Sequence, residues 1–200
     1  MQAPLLSLPR LFGTTQETVP AAIPYLSADP ELVEQWRRRL AMFPEFKIGI
    51  VWKGNPLYRN DRDRSLSLSL FEPIARFPGV RLFSLQKGPG NEEVARYADR
   101  VPLTDLSPEL DENTGAFVDT AAVLKNLDLV ISVDTAVTHL AGALAVPTWL
   151  LLPYACEWRW LLDREDTPWY PTVRLWRCKT PGAWPEVMDR VAAAVRSNIS

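Results

Sequence analysis

Metal ligands and reactive thiols are scarce in this chain. Its 200 residues include a single histidine and two cysteines, Cys156 and Cys178. The cysteines lie too far apart for a CxxC redox or zinc pattern, so we predict no metal site and thiols that stay reduced, as in the cytoplasm. No apolar run approaches the roughly 20 residues of a membrane span, and the N-terminus has no charged region before an apolar core, as a signal peptide would. We therefore expect a cytoplasmic protein without a membrane span.

An excess of charge of one sign is also missing. With 22 lysines and arginines against 24 aspartates and glutamates, the net charge is −2, so nucleic acid is not an expected partner. No GxGxxG sequence opens a helix after a strand, which disfavours a dinucleotide oxidoreductase, and no GK[ST] follows a glycine at P-loop spacing. The chain does have 47% hydrophobic residues, which is enough for one sizeable core.

The first 46 residues differ from the rest of the chain. Four prolines interrupt a stretch without apolar periodicity, which we interpret as a linker, followed by a packing helix over Ser27–Met42. These prolines are Pro4, Pro9, Pro20 and Pro24. From residue 47 to residue 200, strand-like apolar runs alternate with helical patterns. That alternation predicts an α/β domain of the Rossmann-like type, with three layers and a parallel sheet.

Within this domain the pattern predicts several elements before residue 127. IGIVW is a buried strand, and Ser69 with Glu72 forms a capping box for a short helix that ends near Phe77. A second strand, VRLFSLQ, follows, and then helices over Asn91–Tyr97 and Ala116–Asn126. A last helix starts near Pro181 and either packs back on the sheet or crosses to a neighbouring domain.

The segment LDLVISVDTAVTHLAGALAVPTWLLLP, residues 127–153, predicts a strand, a ligand-binding turn, a helix and a second strand. Asp134 is suited to cap the helix, and Thr135 and Ala136 then supply free N–H groups where phosphates bind at the end of a parallel strand. His139 lies on the polar stripe of the helix, which favours a position in the crevice. The alternative for His139 is a packed, hydrogen-bonded histidine.

Two more polar loops follow predicted strands and converge on the same crevice. In KGNPLYRNDRDR, the turn of Lys53, Gly54 and Asn55 is followed by Arg62 and Arg64, which suit a diphosphate clamp. The aspartates of this loop would instead tie its arginines into surface ion pairs. In QKGPGN, Gln86 and Lys87 indicate ligand binding, against an ordinary turn.

Tryptophans are concentrated in YACEWRWLLDREDTPW, which comes directly after the strand ending at residue 153. We interpret Trp160 and Trp169 as packing residues, because tryptophans in a short helix belong more often to a core or an interface. The roles of Trp158 and Arg159 stay open between stacking on a ligand ring and local pairing.

These segments together resemble the heptosyltransferase-like glycosyltransferases of family 9. The resemblance rests on VWKGNP with the basic loop and RSL, on FSLQKG, on DTAAVLKNLDLVISVDTAVTHLAGALAVPTWLLLP, and on WRWLLDRED with PWYP. It covers nearly the whole chain, and SVDTAVTHLAGAL is its most specific part. More narrowly, the chain is similar to the carboxyl-terminal part of bacterial proteins that join tetratricopeptide repeats to such a domain.

The resemblance implies a GT-B fold, of which residues 47–200 would form the carboxyl-terminal half. It also implies transfer of a hexosyl or heptosyl group from a nucleotide-diphospho-sugar to an unidentified acceptor, without a metal or other cofactor. By resemblance, residues 134–136 and 139 fall on the donor-binding motif, and Arg64, or else Arg62, lies near the basic residue of the phosphate loop. The predicted donor-binding residues are Lys53, Gly54, Asn55, Arg62, Arg64, Gln86, Lys87, Asp134, Thr135, Ala136 and His139.

The chain departs from the family at its amino-terminal side. Only 46 residues precede the first predicted strand, too few for the family's amino-terminal domain, which largely carries the acceptor site and the catalytic carboxylate. We therefore predict no catalytic residue in this chain. The alternatives are a non-catalytic nucleotide-binding or docking module, or a structural fragment whose exposed apolar face would make it dimerise or aggregate. A second copy in a homodimer and a missing amino-terminal domain are the expected protein partners.

Overall fold

The computed structural model describes residues 2–199, which form an α/β fold around a six-stranded parallel sheet. The strand order is β3-β2-β1-β4-β5-β6. The strands are β1 (Phe46–Val51), β2 (Val80–Ser84), β3 (Leu103–Asp105), β4 (Leu129–Val133), β5 (Thr148–Leu152) and β6 (Val173–Arg177). Parallel sheets with this order bind ligands where the strand order reverses, here between β1 and β4. The predicted α/β class with a parallel sheet is confirmed.

Helices cover both faces of the sheet. They are α1 (Leu8–Leu11), α2 (Pro30–Leu40), α3 (Asp61–Arg64), α4 (Glu72–Ala75), α5 (Val94–Tyr97), α6 (Val118–Leu124), α7 (Ala136–Ala143) and α8 (Trp184–Ile199). Short 3₁₀ segments occupy Leu5–Ser7, Leu68–Phe71, Asn91–Glu93 and Trp158–Trp160. Within residues 2–199, no helix has the length and apolar character needed to cross a bilayer.

The core consists of two layers of apolar side chains, one on each face of the sheet. Every residue of β4 and β5 is buried, because each strand is a continuous apolar run covered on both sides. On one face α8 packs through Val187, Val191 and Val195 against Ile48 and Leu129. This settles the last helix: it packs back on the sheet of its own domain.

On the other face, α2 packs against α6 in a second apolar layer. Trp36 of α2 is 3% exposed, and its indole Nε1 donates to Asp119 Oδ1 at 2.9 Å. The predicted helix over residues 27–42 is shorter in the structure, because Asp29 caps it by accepting from Glu31 N at 2.8 Å. Before α2, no described residue is buried, and the chain contacts the domain through Tyr25 N, which donates to Ala143 O at 3.1 Å.

Three local predictions were wrong or incomplete. Strands β3 and β6 were not predicted, because β3 has only three residues and β6, VRLWR, places arginines inside a short run. The capping box of Ser69 and Glu72 does not form: Ser67 caps the 3₁₀ segment, and Glu72 pairs with Arg76 at the start of α4.

Candidate functional site

A cleft of about 790 Å³ opens at the carboxyl ends of β1, β2 and β4, where the strand order reverses. Among the predicted donor-binding residues, those that line this cleft are Lys53, Gly54, Asn55, Arg64, Gln86, Lys87, Thr135 and Ala136. Arg62, Asp134 and His139 lie outside its lining. The structure therefore brings the three predicted loops together.

The loop after β1 is shaped by a glycine. Gly54 N donates to Ser65 Oγ at 3.0 Å, and a Cβ atom at this position would overlap the side chains of Asp61 and Arg64. Asn55 tightens the next turn, because its Oδ1 accepts from Leu57 N at 2.9 Å. The absence of a side chain at position 54 thus lets an ion pair lie directly on the loop backbone.

Arg64 joins the β1 loop to the end of β4. Its Nε donates to Asp61 Oδ1 at 2.9 Å and its Nη1 donates to the carbonyl oxygen of Asp134 at 2.7 Å. The guanidinium also lies over the ring of Tyr58, 4.6 Å from its centroid. Arg62 is exposed and forms no ion pair within the described part of the chain. Of the two candidate arginines, Arg64 is therefore the one at the cleft.

Gln86 joins the loops after β1 and β2. Its Oε1 accepts from Trp52 N at 3.1 Å and from Lys53 N at 3.0 Å, while its Nε2 donates to Pro89 O at 2.9 Å. The residue is 3% exposed, so its amide serves mainly to hold the two loops in place.

Each cation that lines the cleft has a carboxylate partner. Lys53 Nζ lies 2.6 Å from Glu93 Oε1, and Lys87 Nζ lies 2.7 Å from Glu112 Oε1. Burial raises the pKa of Glu93, but hydrogen bonds from Lys53 and from the backbone of Leu68 outweigh burial and leave that pKa below its usual value. Arg64 is likewise paired with Asp61, so the predicted alternative of an ion pair within the β1 loop describes this arginine.

The start of α7 opens onto the cleft without a side-chain cap. The prediction that Asp134 caps this helix was wrong: Thr135 is the N-cap residue and its side chain makes no capping bond. The Asp134 carboxylate instead accepts from Trp160 Nε1 at 2.9 Å. Ala136 and Val137, the first residues of α7, line the cleft, and the first N–H groups of a helix with the positive end of its dipole form an arrangement that binds anions.

His139 lies beside the cleft and is packed among aromatic residues. Its Nδ1 is 3.1 Å from Tyr170 Oη, its ring stacks on Trp160 at 5.2 Å, and its Nε2 is 3.8 Å from Asp134 Oδ1. Burial lowers the pKa of His139, against the opposing effect of the Asp134 carboxylate, so the imidazole is neutral at pH 7. The alternative of a packed, hydrogen-bonded histidine describes this geometry, although 34% of the side chain stays exposed.

Sequence reasoning missed one wall of the cleft. Phe117, Thr120 and Asp111 line it, and Leu85 and Pro89 line the same cleft. Phe117 has a left-handed backbone (φ 66°) at the start of α6, with 44% of the residue exposed. A single exposed phenylalanine at a helix start produces no periodicity, so no signal in the sequence identified it. Phe117 therefore adds an exposed aromatic ring to the cleft.

The described residues contain no group of three or more histidine, cysteine, aspartate or glutamate side chains placed to hold a metal ion. The cleft instead combines the uncapped start of α7 and Arg64 with the exposed aromatic ring of Phe117. This combination suits a ligand that carries both phosphate and a ring system.

The fold and the cleft define a Rossmann-like ligand-binding domain. Residues 75–151 match the model of the glycosyltransferase family 9 (heptosyltransferase). This match spans 77 of the 200 residues, from the end of α4 to β5. The protein FlbA of Caulobacter vibrioides is 35% identical over 184 residues, which cover 91% of this chain and 30% of that protein. The chain therefore spans under a third of the length of this curated relative.

Solved structures share the fold. A family 9 glycosyltransferase of Veillonella parvula matches with a TM-score of 0.62 and 10% identity, over 87% of this chain and 52% of that one. The ADP-heptose LPS heptosyltransferase II of E. coli matches with a TM-score of 0.60 and 12% identity, over 94% and 58%. The E. coli heptosyltransferase WaaC with ADP matches with a TM-score of 0.54 and 17% identity, over 91% and 53%. The predicted GT-B type of fold is thereby confirmed.

Proposed function

We propose that this domain binds the donor of a glycosyltransferase, a nucleotide-diphospho-sugar, in the cleft between β1 and β4. The observation that carries the proposal is the uncapped start of α7, which lines the cleft. The three cations of the cleft are each paired with a carboxylate, and the exposed ring of Phe117 also lines it. Two similar structures support this ligand class, because WaaC was solved with ADP and with ADP-2-deoxy-2-fluoro heptose.

The cleft divides into a phosphate side and a base side. The diphosphate would lie at the N–H groups of Ala136 and Val137, within reach of Arg64. The nucleobase would lie against the ring of Phe117, because bases stack on exposed aromatic rings and the apolar side chains of Leu85 and Pro89 line the same cleft. Asp134 Oδ1, which makes no hydrogen bond in the structure, would accept a hydroxyl of the donor.

The chemistry that follows is metal-independent glycosyl transfer. An acceptor hydroxyl attacks the anomeric carbon, the bond to the diphosphate breaks, and the nucleoside diphosphate leaves with the electron pair. The α7 N–H groups, the helix dipole and Arg64 would stabilise that leaving group. We assign the base that removes the acceptor proton to no residue of this chain. Hexosyl and heptosyl donors are both compatible with this site.

The whole protein is expected to extend beyond this donor-binding domain. We propose a cytoplasmic enzyme whose acceptor site lies on an amino-terminal domain, or on a second copy in a homodimer, and which carries tetratricopeptide repeats. The mass of the native protein and light scattering of this chain test these points. If light scattering shows a monomer of this domain, the homodimer is contradicted.

A matched pair of arginine variants tests the donor site. Arg64→Gln removes the guanidinium at the cleft, whereas Arg62→Gln makes the same change on an exposed residue of the same turn. Calorimetric titration with ADP, GDP, UDP and CDP is expected to show one bound nucleotide, with affinity reduced about tenfold by Arg64→Gln and unchanged by Arg62→Gln. Absence of binding to all four, or equal losses in both variants, would contradict the proposal.

A docking module without transfer is the second candidate. It is favoured by three exposed apolar side chains in the loops after β1 and β5: Leu57 is 91% exposed, Trp158 69% and Leu162 72%. This candidate predicts nucleotide binding without sugar transfer in the full-length protein. A radiolabel transfer assay on that full-length protein separates the two functions.

A further inference from the structure

Trp160 contacts both Asp134 and His139. Its indole Nε1 donates to Asp134 Oδ2 at 2.9 Å, and its ring stacks on the imidazole of His139 with 22° between the ring planes. The residue is 0% exposed, although it belongs to a short 3₁₀ segment in a surface loop. An indole in such a position normally satisfies its N–H group, and here the acceptor is a charged carboxylate.

Trp160 is itself held in place from several sides. Its carbonyl oxygen accepts from Arg177 Nη2 at 3.1 Å, at the end of β6. Glu157 caps the 3₁₀ segment, and Trp169 Nε1 donates to Arg159 O at 2.7 Å. The indole therefore has little freedom to move with the Asp134 carboxylate. Trp160 restrains Asp134, and not the reverse.

The bond from Trp160 divides the two oxygens of Asp134. Oδ2 is used by the indole, while Oδ1 lies 3.8 Å from His139 Nε2, which is too far for a direct hydrogen bond. If the indole N–H were lost, the carboxylate would be free to rotate and pair with the imidazole. Oδ1 would then be taken up by His139.

We propose that Trp160 is a positioning residue, whose indole N–H holds the Asp134 carboxylate away from His139 and so leaves Asp134 Oδ1 available to a hydroxyl of the ligand. This rests on the proposed donor site for its functional consequence, but not for its structural part. The segment after β5 then serves the site without touching the ligand.

The structural part is testable in the ligand-free protein, because the chain contains one histidine and its ring signal needs no assignment. The groups that face this imidazole are Asp134 from the end of β4, Glu157 and Arg159 from the 3₁₀ segment, and the hydroxyl of Tyr170. The measurement is an NMR pH titration of the His139 ring in wild-type protein and in Trp160→Phe, which keeps a stacking ring and removes the N–H.

We expect the pKa of His139 to rise in Trp160→Phe, because the released carboxylate moves closer to the imidazole and favours its charged form. Trp176→Phe is the matched control, since Trp176 is 5% exposed and its Nε1 has no partner among the described residues. It is expected to leave the titration unchanged. In an Asp134→Asn background, Trp160→Phe should no longer shift the pKa, because the charge on which it acts is gone.

An unchanged His139 titration in Trp160→Phe, or the same shift in the Asp134→Asn background, would overturn the positioning role. The functional consequence is measured separately: Trp160→Phe is expected to weaken nucleotide or nucleotide-sugar binding about tenfold, with Trp176→Phe as the control. If wild-type protein binds no nucleotide, the proposed function fails while the titration still decides the role of Trp160.

Discussion

Phe117 offers a sharp test, because its effects on binding and on stability should separate. We consider Phe117→Asn, which removes the ring but suits the left-handed backbone at φ 66°, since asparagine adopts that conformation more readily than phenylalanine. With 44% of Phe117 exposed, the ring contributes about half of the ~1.5–3 kcal/mol of a fully buried side chain. Relief of a strained backbone returns about 1 kcal/mol.

The two contributions to the free energy of unfolding nearly cancel, so chemical denaturation should show a change of no more than about 1 kcal/mol. Nucleotide affinity should nevertheless fall, because base stacking on an aromatic ring contributes roughly 1–3 kcal/mol, or about a factor of 5 to 150. Phe12→Asn is the matched control: Phe12 is 79% exposed on the N-terminal segment and does not line the cleft.

Calorimetry on the three proteins decides the matter. Wild-type affinity in Phe117→Asn would refute the placement of the base against this wall. A similar loss of affinity in Phe12→Asn would show that the effect does not depend on the cleft.

Three other substitutions test the packing and the ionisation around the site. Gly142→Ala should destabilise the domain by about 1–3 kcal/mol in chemical denaturation, because a Cβ atom there would overlap the ring of Tyr170. In most helices the same substitution increases stability. A gain in stability here would show that the ring can move. Asp119→Asn should lower the free energy of unfolding at pH 7 by about 1.5–3 kcal/mol, because it removes a charged hydrogen-bond acceptor. Burial raises the pKa of Asp119, but the hydrogen bonds from Thr114, Trp36 and Asp111 outweigh burial and leave that pKa below its usual value. Because that folded-state pKa is depressed, the difference from wild type should be full above the unfolded pKa and should shrink as the pH falls through the folded pKa; a difference independent of pH would contradict this. Burial also lowers the pKa of His139, so its contribution to stability is full above the unfolded pKa near 6.5 and is lost on acidification. The stability of His139→Phe should therefore depend less on pH between neutral and mildly acidic buffer. An equal pH dependence of thermal unfolding in this variant and in wild type would count against this.

The sequence was sufficient to predict the frame of this site. Continuous apolar runs such as LDLVISV and PTWLLLP are typical of strands buried on both faces, and β4 and β5 lie there. The convergence of the β1, β2 and β4 loops follows from the parallel sheet, since strand-end loops share one edge. The strands β3 and β6 escaped prediction because neither forms a long apolar run.

Local side-chain choices were less predictable. Aspartate is a residue type that often caps helices, but the carboxylate of Asp134 accepts a hydrogen bond from the indole of Trp160 and none from the first N–H groups of α7. Arg64 and Arg62 are equivalent on composition, and only the turn of α3 decides which one reaches the carbonyl of Asp134. Such pairings depend on tertiary contacts that a pattern along the sequence does not encode.

The most direct test of the central claim locates the bound phosphate. In isotope-labelled protein titrated with the four nucleoside diphosphates, the amide signals of Ala136 and Val137 should show the largest shifts, because these residues line the cleft at the start of α7. The Arg62→Gln variant should show the same shifts. Saturable shifts at these two amides would support a donor site at the start of α7. Shifts confined to other loops, or no shifts at millimolar nucleotide, would contradict it.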